Sequence, residues 1–440
     1  MMTRRKAVAA VLASPVALTA AAQAAPAPAP ATSCFDSADP ASLATPGALG
    51  ASGVSTMRIN AVGNLLPALQ HIARQMEACS TPGVKVSFKL TAAARSETEL
   101  AFAAEGKSPF DLAAVSLALY ANLQSNGQLQ TMTDLVDKYR SRWRIEENML
   151  VRVNGQVLAI AFMRNTQNLY YRQDLFDQLG LKPPTDYEQL VATAQVLRAR
   201  APAIAYPIAH TYASGWDSAT EFTNVYRSLG GSLFEPGTAR PAFHSAEGVR
   251  AIQAMRSLMP YMTPNALASN TDDVMNLFQQ GKAAMGVLWA SRAERMDDAQ
   301  ASRVVGKMAL TVAPSVLPGG RAASHLWWDG FVMPRRTRAD RDAVFNVLME
   351  GLSERSTRAG NDLTVWVRSV YRPTRFGAAV AQSQAAGVPV WPTQPFFNLA
   401  HTEIGKVMAG ALTGNVPAAS ALNDAARAYT QVAAEKGFLS

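Results

Sequence analysis

The side chains that most often carry catalysis are few and scattered in this chain. Its five histidines are single and far apart in the sequence: His71, His210, His244, His325 and His401. The chain has no Gly-x-Ser-x-Gly, His-Glu-x-x-His or Gly-x-x-x-x-Gly-Lys-Ser/Thr pattern, and it has no Cys-x-x-Cys pair. A catalytic or metal site would need folding to gather distant side chains. The sequence therefore predicts no catalytic residues, no metal ligands and no cofactor.

Aromatic side chains give the stronger chemical signal. A sugar presents a flat face of C–H bonds that packs on an aromatic ring, and its hydroxyls need planar polar partners. The rings that suit such a role are Trp216, Trp289, Trp327, Trp328, Tyr371, Trp391, Phe396 and Phe397. Each ring also has an interpretation as an ordinary core side chain, and both interpretations stay open at this point.

Length and composition favour an exported, folded protein. At 440 residues and 48% apolar content, the expectation is two folded domains. Residues 4–6 are basic, residues 7–21 are weakly apolar, and Ala22-Gln23-Ala24 is a cleavage pattern, so residues 1–24 are predicted to be a signal peptide. Residues 25–54 form an Ala/Pro-rich N-terminal segment. No later stretch is long and apolar enough to predict a membrane span.

The charge pattern argues against a nucleic-acid partner. The formal net charge of +8 falls by three when the basic residues of the signal peptide are removed. The remaining arginines are scattered, with no basic stripe interleaved with aromatic residues. A mildly basic, solvated surface is the favoured interpretation.

The two cysteines, Cys34 and Cys79, predict one disulfide. In an exported chain, a single pair is typical of a structural crosslink. It would stabilise the fold by about 4 kcal/mol on the chain-entropy model. The alternative is a lipid anchor on Cys34, but the preceding Ala31-Thr32-Ser33 lacks the usual lipidation pattern with an upstream Leu.

The elements that must position any binding residues begin with an α/β unit. Residues 55–62 predict a strand, Asn64 a helix N-cap, and the apolar spacing of residues 65–76 a helix. A second strand is predicted over residues 84–90, and this strand–helix–strand order predicts parallel strands.

The stretch from residue 153 to residue 197 predicts a second set of elements. Residues 157–162 predict a strand, 163–168 a polar break, and 169–172 another strand-like piece. Thr185, with Glu188 three residues on, predicts the capped start of a helix.

Several motifs resemble those of extracellular solute-binding proteins, family 1. Tyr171-Arg172-Gln173-Asp174 resembles the family's Tyr-Asn-Lys-Asp, although Arg172 replaces the usual Asn. Phe278-Gln279-Gln280-Gly281-Lys282-Ala283-Ala284-Met285 resembles F-x-x-G-K-A-A-M and is the most specific match. The resemblance covers residues 55–439 in order. Such proteins are the periplasmic ligand receptors of ABC importers.

This resemblance implies an α/β, two-lobed periplasmic-binding-protein fold of type II, with three hinge crossings and a ligand cleft between the lobes. The first lobe would comprise residues 55–163 and 329–369, and the second residues 164–328 and 370–440. The protein would be an exported, periplasmic monomer. It would bind a carbohydrate by hinge closure and deliver it to the membrane permease of an ABC transporter.

The resemblance also implies where the ligand contacts lie, at strand ends and in the crossings. The expected ligand-binding residues are Asn64, Ser116, Arg164, Asn165, Trp216, Trp289, Trp328, Asp329, Tyr371 and Arg372. Trp289 and Trp328 are favoured for the cleft, because both follow strands that the resemblance directs toward the lobe interface. Asn165 stands where a relative of known ligand has a carboxylate, so that ligand chemistry does not transfer.

Other functions remain open on the sequence alone. Arg164 or Arg372 could bind an anionic solute such as a sugar phosphate. An exported enzyme on the same fold is a second alternative, and an interaction or sensor subunit without a ligand is a third.

Overall fold

A computed structural model of the chain describes residues 57–80 and 83–439. The signal peptide, the Ala/Pro-rich segment and Cys34 lie outside these residues, so cleavage and the disulfide stay predictions. Cys79 lies within them and is buried, 1% exposed, just beyond the first helix.

The described residues form nine β-strands and fourteen α-helices. The strands are β1 Met57–Gly63, β2 Val84–Leu90, β3 Leu112–Ser116, β4 Leu150–Val153, β5 Gln156–Arg172, β6 Tyr206–Ile208, β7 Ala283–Trp289, β8 Met308–Val312 and β9 Leu326–Val332. The helices are α1 Pro67–Glu77, α2 Ala94–Ala103, α3 Leu117–Ser125, α4 Thr133–Trp143, α5 Gln173–Leu179, α6 Tyr187–Arg200, α7 Trp216–Ser228, α8 Ala246–Leu258, α9 Thr271–Gln279, α10 Arg341–Gly351, α11 Glu354–Ala359, α12 Gly377–Ala385, α13 Phe397–Thr413 and α14 Ala418–Glu435.

The strands are hydrogen-bonded in the order β2-β1-β3-β9-β5-β7-β6, with β4 and β8 also paired to β5. The β1–β2 and β1–β3 pairs are parallel, as the strand–helix–strand order predicts. The β3–β9 and β5–β9 pairs are antiparallel. The sheet is therefore mixed, and β9 and β5 lie side by side at its centre.

Strand β5 corrects the prediction of a polar break at residues 163–168. It is continuous over seventeen residues. Its residues 156–166 pair with β4 and β9, and its residues 167–172 pair with β7 and β8. Strand β5 thus joins two sections of the sheet. The first section contains β1, β2, β3, β4 and β9, and the second contains β6, β7 and β8. The polar side chains in the middle of β5 are satisfied by specific partners, so they do not interrupt the strand.

Two helix starts also differ from the sequence prediction. Helix α1 begins at Pro67, and Asn64 lies upstream, where its Oδ1 accepts from the Leu66 N–H at 3.0 Å. Asn64 therefore closes an Asx turn before the helix instead of capping it. Helix α6 is capped by Asp186 and not by Thr185, because the Asp186 carboxylate accepts from the Gln189 N–H at 2.9 Å.

Separate apolar clusters lie against the two sections of the sheet. Strands of the first section pack their apolar side chains against α1 and α10. Another cluster fills the space under α7, α8, α13 and α14 and includes side chains from α3. Within the described residues, no helix has both the length and the hydropathy needed to cross a membrane.

Candidate functional site

Two of the expected site residues follow the carboxyl ends of strands in the first section. Asn64 follows β1, and Ser116 ends β3, where its Oγ caps α3 by accepting from the Leu119 N–H at 3.4 Å. Ligands of open α/β sheets bind beyond the carboxyl ends of such strands. Asn64 and Ser116 are therefore on the side of the sheet where a ligand is expected.

The central strands β5 and β9 carry four more side chains on one shared face. Asn165 is directly opposite Trp327, and Met163 is directly opposite Asp329. Side chains alternate along a strand, and directly opposed residues point to the same side, so these four share a face. Ser116 is in turn opposite Asp329 in the β3–β9 pair. This face forms a floor between the two sections of the sheet.

A pair of hydrogen bonds ties this floor to the segment after β7. The Asn165 Nδ2–H donates to Ser291 Oγ at 2.9 Å, and the Ser291 backbone N–H donates to Asn165 Oδ1 at 3.0 Å. Ser291 belongs to a 3₁₀ segment, Ala290–Asp297, that directly follows the strand end at Trp289. The amide of Asn165 therefore bridges the central strand and the second section.

A groove of about 650 Å³ lies between these parts of the molecule. Residues 64–68, at the start of α1, line one side, and residues 291–298 contribute to the other. Met163 and residues 362–364 complete the lining. We call this space the cleft groove. Elsewhere the two sides touch directly, because the Asn398 Nδ2–H at the start of α13 donates to the carbonyl oxygen of Ala118 in α3 at 3.4 Å.

Aromatic rings cluster beside the floor. The Trp327 ring lies 5.6 Å from the ring of Trp289, 5.6 Å from that of Trp391 and 6.2 Å from that of Trp216. Trp391 is buried and Trp327 nearly so, whereas Trp216 is 39% exposed and Trp289 is partly exposed. Trp391 and Trp327 are therefore core side chains, whereas Trp216 and Trp289 expose part of their rings, outside the lining of the cleft groove.

Arg164 and Trp328 lie on the opposite face of the central strands. They are paired with each other across β5 and β9 and line a separate cavity of about 300 Å³. The Arg164 guanidinium donates to Gln384 Oε1 at 2.9 Å, and the Trp328 ring lies 5.1 Å from that of Tyr120. The structure thus separates Arg164 from its neighbour Asn165 and leaves Trp328 away from the floor that Asn165 shares with Trp327.

The last two expected residues, Tyr371 and Arg372, lie in the segment between α11 and α12. Tyr371 is partly buried. The backbone N–H of Arg372 donates to Asn361 Oδ1 at 2.9 Å, and its side chain is exposed. Neither residue lines the cleft groove.

Several carboxylates around the site are desolvated. Burial raises the pKa of Asp329 to about 6, although the Trp327 Nε1–H donates to its Oδ1 at 2.8 Å and opposes that shift. Burial raises the pKa of Asp217, next to Trp216, to about 7, and the charge of Glu221 adds to the shift. Burial also raises the pKa of Glu294, which lines the cleft groove. The site is therefore rich in hydrogen-bond acceptors.

A series of hydrogen-bonded, buried polar side chains lies behind the rings, and it was not predicted from the sequence. Gln167 Nε2–H donates to Glu221 Oε1 at 2.7 Å, Asn224 Nδ2–H donates to Gln167 Oε1 at 2.5 Å, and His325 Nδ1 lies 2.7 Å from Asn224 Oδ1. Burial lowers the pKa of His325 well below its usual value, so the imidazole is neutral. The alternation of Asn165 and Gln167 along one continuous strand is the signal that could have revealed it.

The described residues offer no group of three or more His, Cys, Asp or Glu side chains placed to hold a metal ion. Amide, hydroxyl, carboxylate and guanidinium groups line the cleft groove, and the aromatic rings lie beside the floor, outside that lining. Polar groups of this kind suit a polar solute.

Residues 66–343 match the model of a family described as bacterial extracellular solute-binding protein. The chain belongs to this family. Like other members of the extracellular solute-binding proteins, it is a small-molecule receptor of the kind that serves ABC transporters.

Individual relatives agree with this assignment. A mannitol-binding protein of Pseudomonas aeruginosa is 24% identical over 347 residues, which are 71% of this chain and 78% of that protein. A solute-binding protein of Agrobacterium radiobacter K84, solved with ribitol, has a TM-score of 0.73 at 20% identity, covering 87% of this chain and all of that one. Maltose-bound MalE3 of T. maritima has a TM-score of 0.71 at 18% identity, covering 85% and 99%. These structures show that the fold is the two-lobed type II periplasmic-binding-protein fold.

Proposed function

We propose that this protein is the receptor of an ABC importer for a neutral carbohydrate, a sugar or a polyol, and that it binds this solute between the two lobes, where the aromatic rings and the floor adjoin the cleft groove. One observation carries the proposal: partly exposed tryptophan rings stand beside desolvated hydrogen-bond acceptors. Trp216 precedes Asp217, and Trp289 contacts Trp327, whose indole N–H is bonded to Asp329. A sugar ring packs on such a ring while its hydroxyls donate to the carboxylates. The ligands named for the relatives support the same class of solute.

The charges around the groove favour a neutral solute over an anion. Glu294, Asp298 and Asp362 line it together with Arg292 and Arg295, so acids outnumber bases. Both arginines face Asp272, at 3.8 and 3.6 Å. Arg164, which the sequence offered for an anion, lines the other cavity. An anionic solute at the floor would face Asp329 without a cation beside it.

Capture would work by closure of the two lobes. The lobe assignment is residues 55–163 and 329–369 against residues 164–328 and 370–440. In this proposal β5, β9 and residues 370–375 are the three crossings, and the Val365 carbonyl, a few residues before the third, accepts from the Arg164 N–H at 2.9 Å beside the β5–β9 pair. A ligand touching both lobes shifts the open–closed equilibrium by its differential affinity for the closed state.

The cellular setting forms part of the same proposal. Residues 1–24 direct export to the periplasm, where a Cys34–Cys79 disulfide would form. The closed, monomeric receptor would then dock on the permease subunits of its transporter. Non-reducing mass spectrometry of the protein recovered from the periplasm would report both the cleavage site and the disulfide.

A thermal-shift screen of the mature protein tests the ligand class. The panel contains D-mannitol, ribitol, maltose, matching sugar phosphates and amino acids. A ligand at one hundred times its dissociation constant adds about 2.7 kcal/mol to the free energy of unfolding, which is a readable rise in Tm. A rise with a neutral sugar or polyol supports the proposal. A rise with phosphates alone overturns it in favour of an anion receptor, and turnover of a glycoside would favour an exported enzyme.

A further inference from the structure

A second groove lies outside the cleft, at the surface of the second section. Its volume is about 970 Å³, within the range of small-molecule sites. Residues 231–240, the segment 390–396 and Phe438 form its walls. We call it the Arg227 groove, because the Arg227 side chain lies in its lining.

No ion pair among the described residues neutralises the positive charge in this groove. Arg227, Arg240 and Arg321 line it, and none of them forms an ion pair with a carboxylate of the described residues. The acidic side chain of the lining, Glu235, is exposed and is likewise in no ion pair there. The Arg227 Nη1–H donates to the carbonyl oxygen of Val390 at 3.0 Å, which satisfies a donor but does not balance the charge.

Arg227 lies where burial destabilises the charged form of its guanidinium. The residue is partly buried at the end of α7, and burial together with the nearby charge of Arg321 lowers its pKa to about 10. A desolvated guanidinium gains more from an anion than an exposed one does, because solvent screens the attraction less. Its planar fork matches a carboxylate or phosphate with two parallel hydrogen bonds.

Apolar residues form much of the rest of the lining, beside the polar Ser232, Thr238, Thr393 and Gln394. Phe234, Phe396 and Trp391 are among the apolar residues, and Val390 and Phe438 remain 49% and 37% exposed there. Exposed apolar side chains concentrated in a concave site are typical of binding surfaces. Cationic groups and apolar walls therefore occur in one groove, apart from the carbohydrate cleft.

We propose that the Arg227 groove is a second ligand site, which takes a small organic anion: a carboxylate or a phosphate on an apolar body. Arg227 and Arg321 hold the anionic group, and the phenylalanine and valine side chains cover the apolar part. This inference does not depend on the proposed carbohydrate function, because Arg227 and Arg321 take no part in the proposed carbohydrate contacts and the ligand is an anion instead of a neutral solute.

The test follows the indole N–H of Trp391 by NMR in protein labelled with ¹⁵N-tryptophan, with Trp391→Phe to assign the signal. Benzoate and phenyl phosphate are titrated at constant ionic strength, with benzyl alcohol as the neutral probe. We expect a saturable shift with the anions and none with the alcohol. An equal response to benzyl alcohol, or no saturable response to either anion, overturns the proposal.

Charge variants locate the anion. Arg321 is exposed, and α7 uses only its backbone, because Ser228 Oγ–H donates to the Arg321 carbonyl at 2.5 Å. Arg321→Gln should therefore fold and weaken anion binding by about tenfold. Arg250→Gln removes one exposed positive charge outside the groove and should leave affinity unchanged. Equal weakening by both variants would mean a general charge effect and refute the site. D-mannitol binding measured on the same samples reports the cleft separately.

Discussion

Asn165 and Ser291, 126 residues apart in sequence, hold each other by two hydrogen bonds of 2.9 and 3.0 Å. The bonds are not equivalent. One joins two side chains, and the other satisfies the backbone N–H of Ser291 at the turn out of β7. Asn165 is 5% exposed, so water does not readily replace it. The amide is thus the structural link between the central strand and the far wall of the cleft groove.

This asymmetry predicts that substitutions of the two partners lower the free energy of unfolding by different amounts. Asn165→Ala removes both bonds and leaves the Ser291 N–H without its acceptor, so we expect a loss of about 1–3 kcal/mol in the free energy of unfolding. Ser291→Ala keeps the backbone bond and should cost about 0.5–1.5 kcal/mol. Urea denaturation with a common m value measures both. If Ser291→Ala were the more costly, the backbone bond would not be the stabilising one.

Much of the first section follows from sequence pattern, but the centre of the sheet does not. Strands β1 and β2 and the helix between them have clear apolar periods and turn signals. Residues 163–168 predict a polar break, because period and composition carry no information on tertiary partners. In the fold, Asn168 Nδ2–H donates to the Thr311 carbonyl at 2.9 Å and Gln167 reaches Glu221. Those partners lie far away in sequence.

The same reason limits the prediction of the site. Arg164 and Asn165 are equal candidates when residues 163–168 are a loop, yet in a continuous strand they must point to opposite faces. The correct strand assignment would have separated them. The burial of Trp327 and Trp391 depends on α7 and α13, whose packing against each other no local pattern encodes.

The buried carboxylate of Asp329 predicts how the free energy of unfolding changes with pH. Its pKa rises from 3.8 to about 6 on folding because it is buried. Between these values the folded state binds more protons than the unfolded chain, so this residue's contribution to stability falls as pH rises. Asp329→Asn keeps an acceptor for Trp327 and removes the titration. Relative to the parent, the variant should therefore gain about 2 kcal/mol between pH 4 and pH 7.

Urea denaturation at several pH values measures this difference, and subtraction cancels all groups common to both proteins. Asp362→Asn is the matched control, since it removes a carboxylate that is exposed, unlike that of Asp329, and lines the cleft groove. A pH-independent difference between Asp329→Asn and the parent would show that the buried carboxylate is not the source of the effect.

The partly exposed ring of Trp289 is predicted to contribute to the affinity for the solute. Trp289→Ala should weaken binding of the best sugar or polyol by about tenfold or more, because it removes a ring face from the cleft. Isothermal titration measures the change. Trp143→Ala is the control: that ring is also partly exposed, donates from Nε1 to Asn346 at 3.0 Å, and lies at the end of α4, outside the ring cluster that contains Trp289 and Trp327. Unchanged affinity in Trp289→Ala, with normal Tm, would place this ring in the core and not at the ligand.

Closure of the two lobes predicts a ligand-dependent distance across the cleft, since a receptor of this fold captures its solute by moving one lobe against the other. Leu65, 53% exposed, and Asp298 stand on opposite sides of the cleft groove and accept spin labels as cysteine variants. Double electron–electron resonance should show a shorter distance between the two spin labels with saturating ligand than without it. The pair Arg58 and Leu65, both in the first section, should keep its distance because these residues belong to one lobe in the proposed assignment. If neither distance changed while titration showed binding, the solute would enter a cleft that is already closed, and the affinity would contain no contribution from hinge motion.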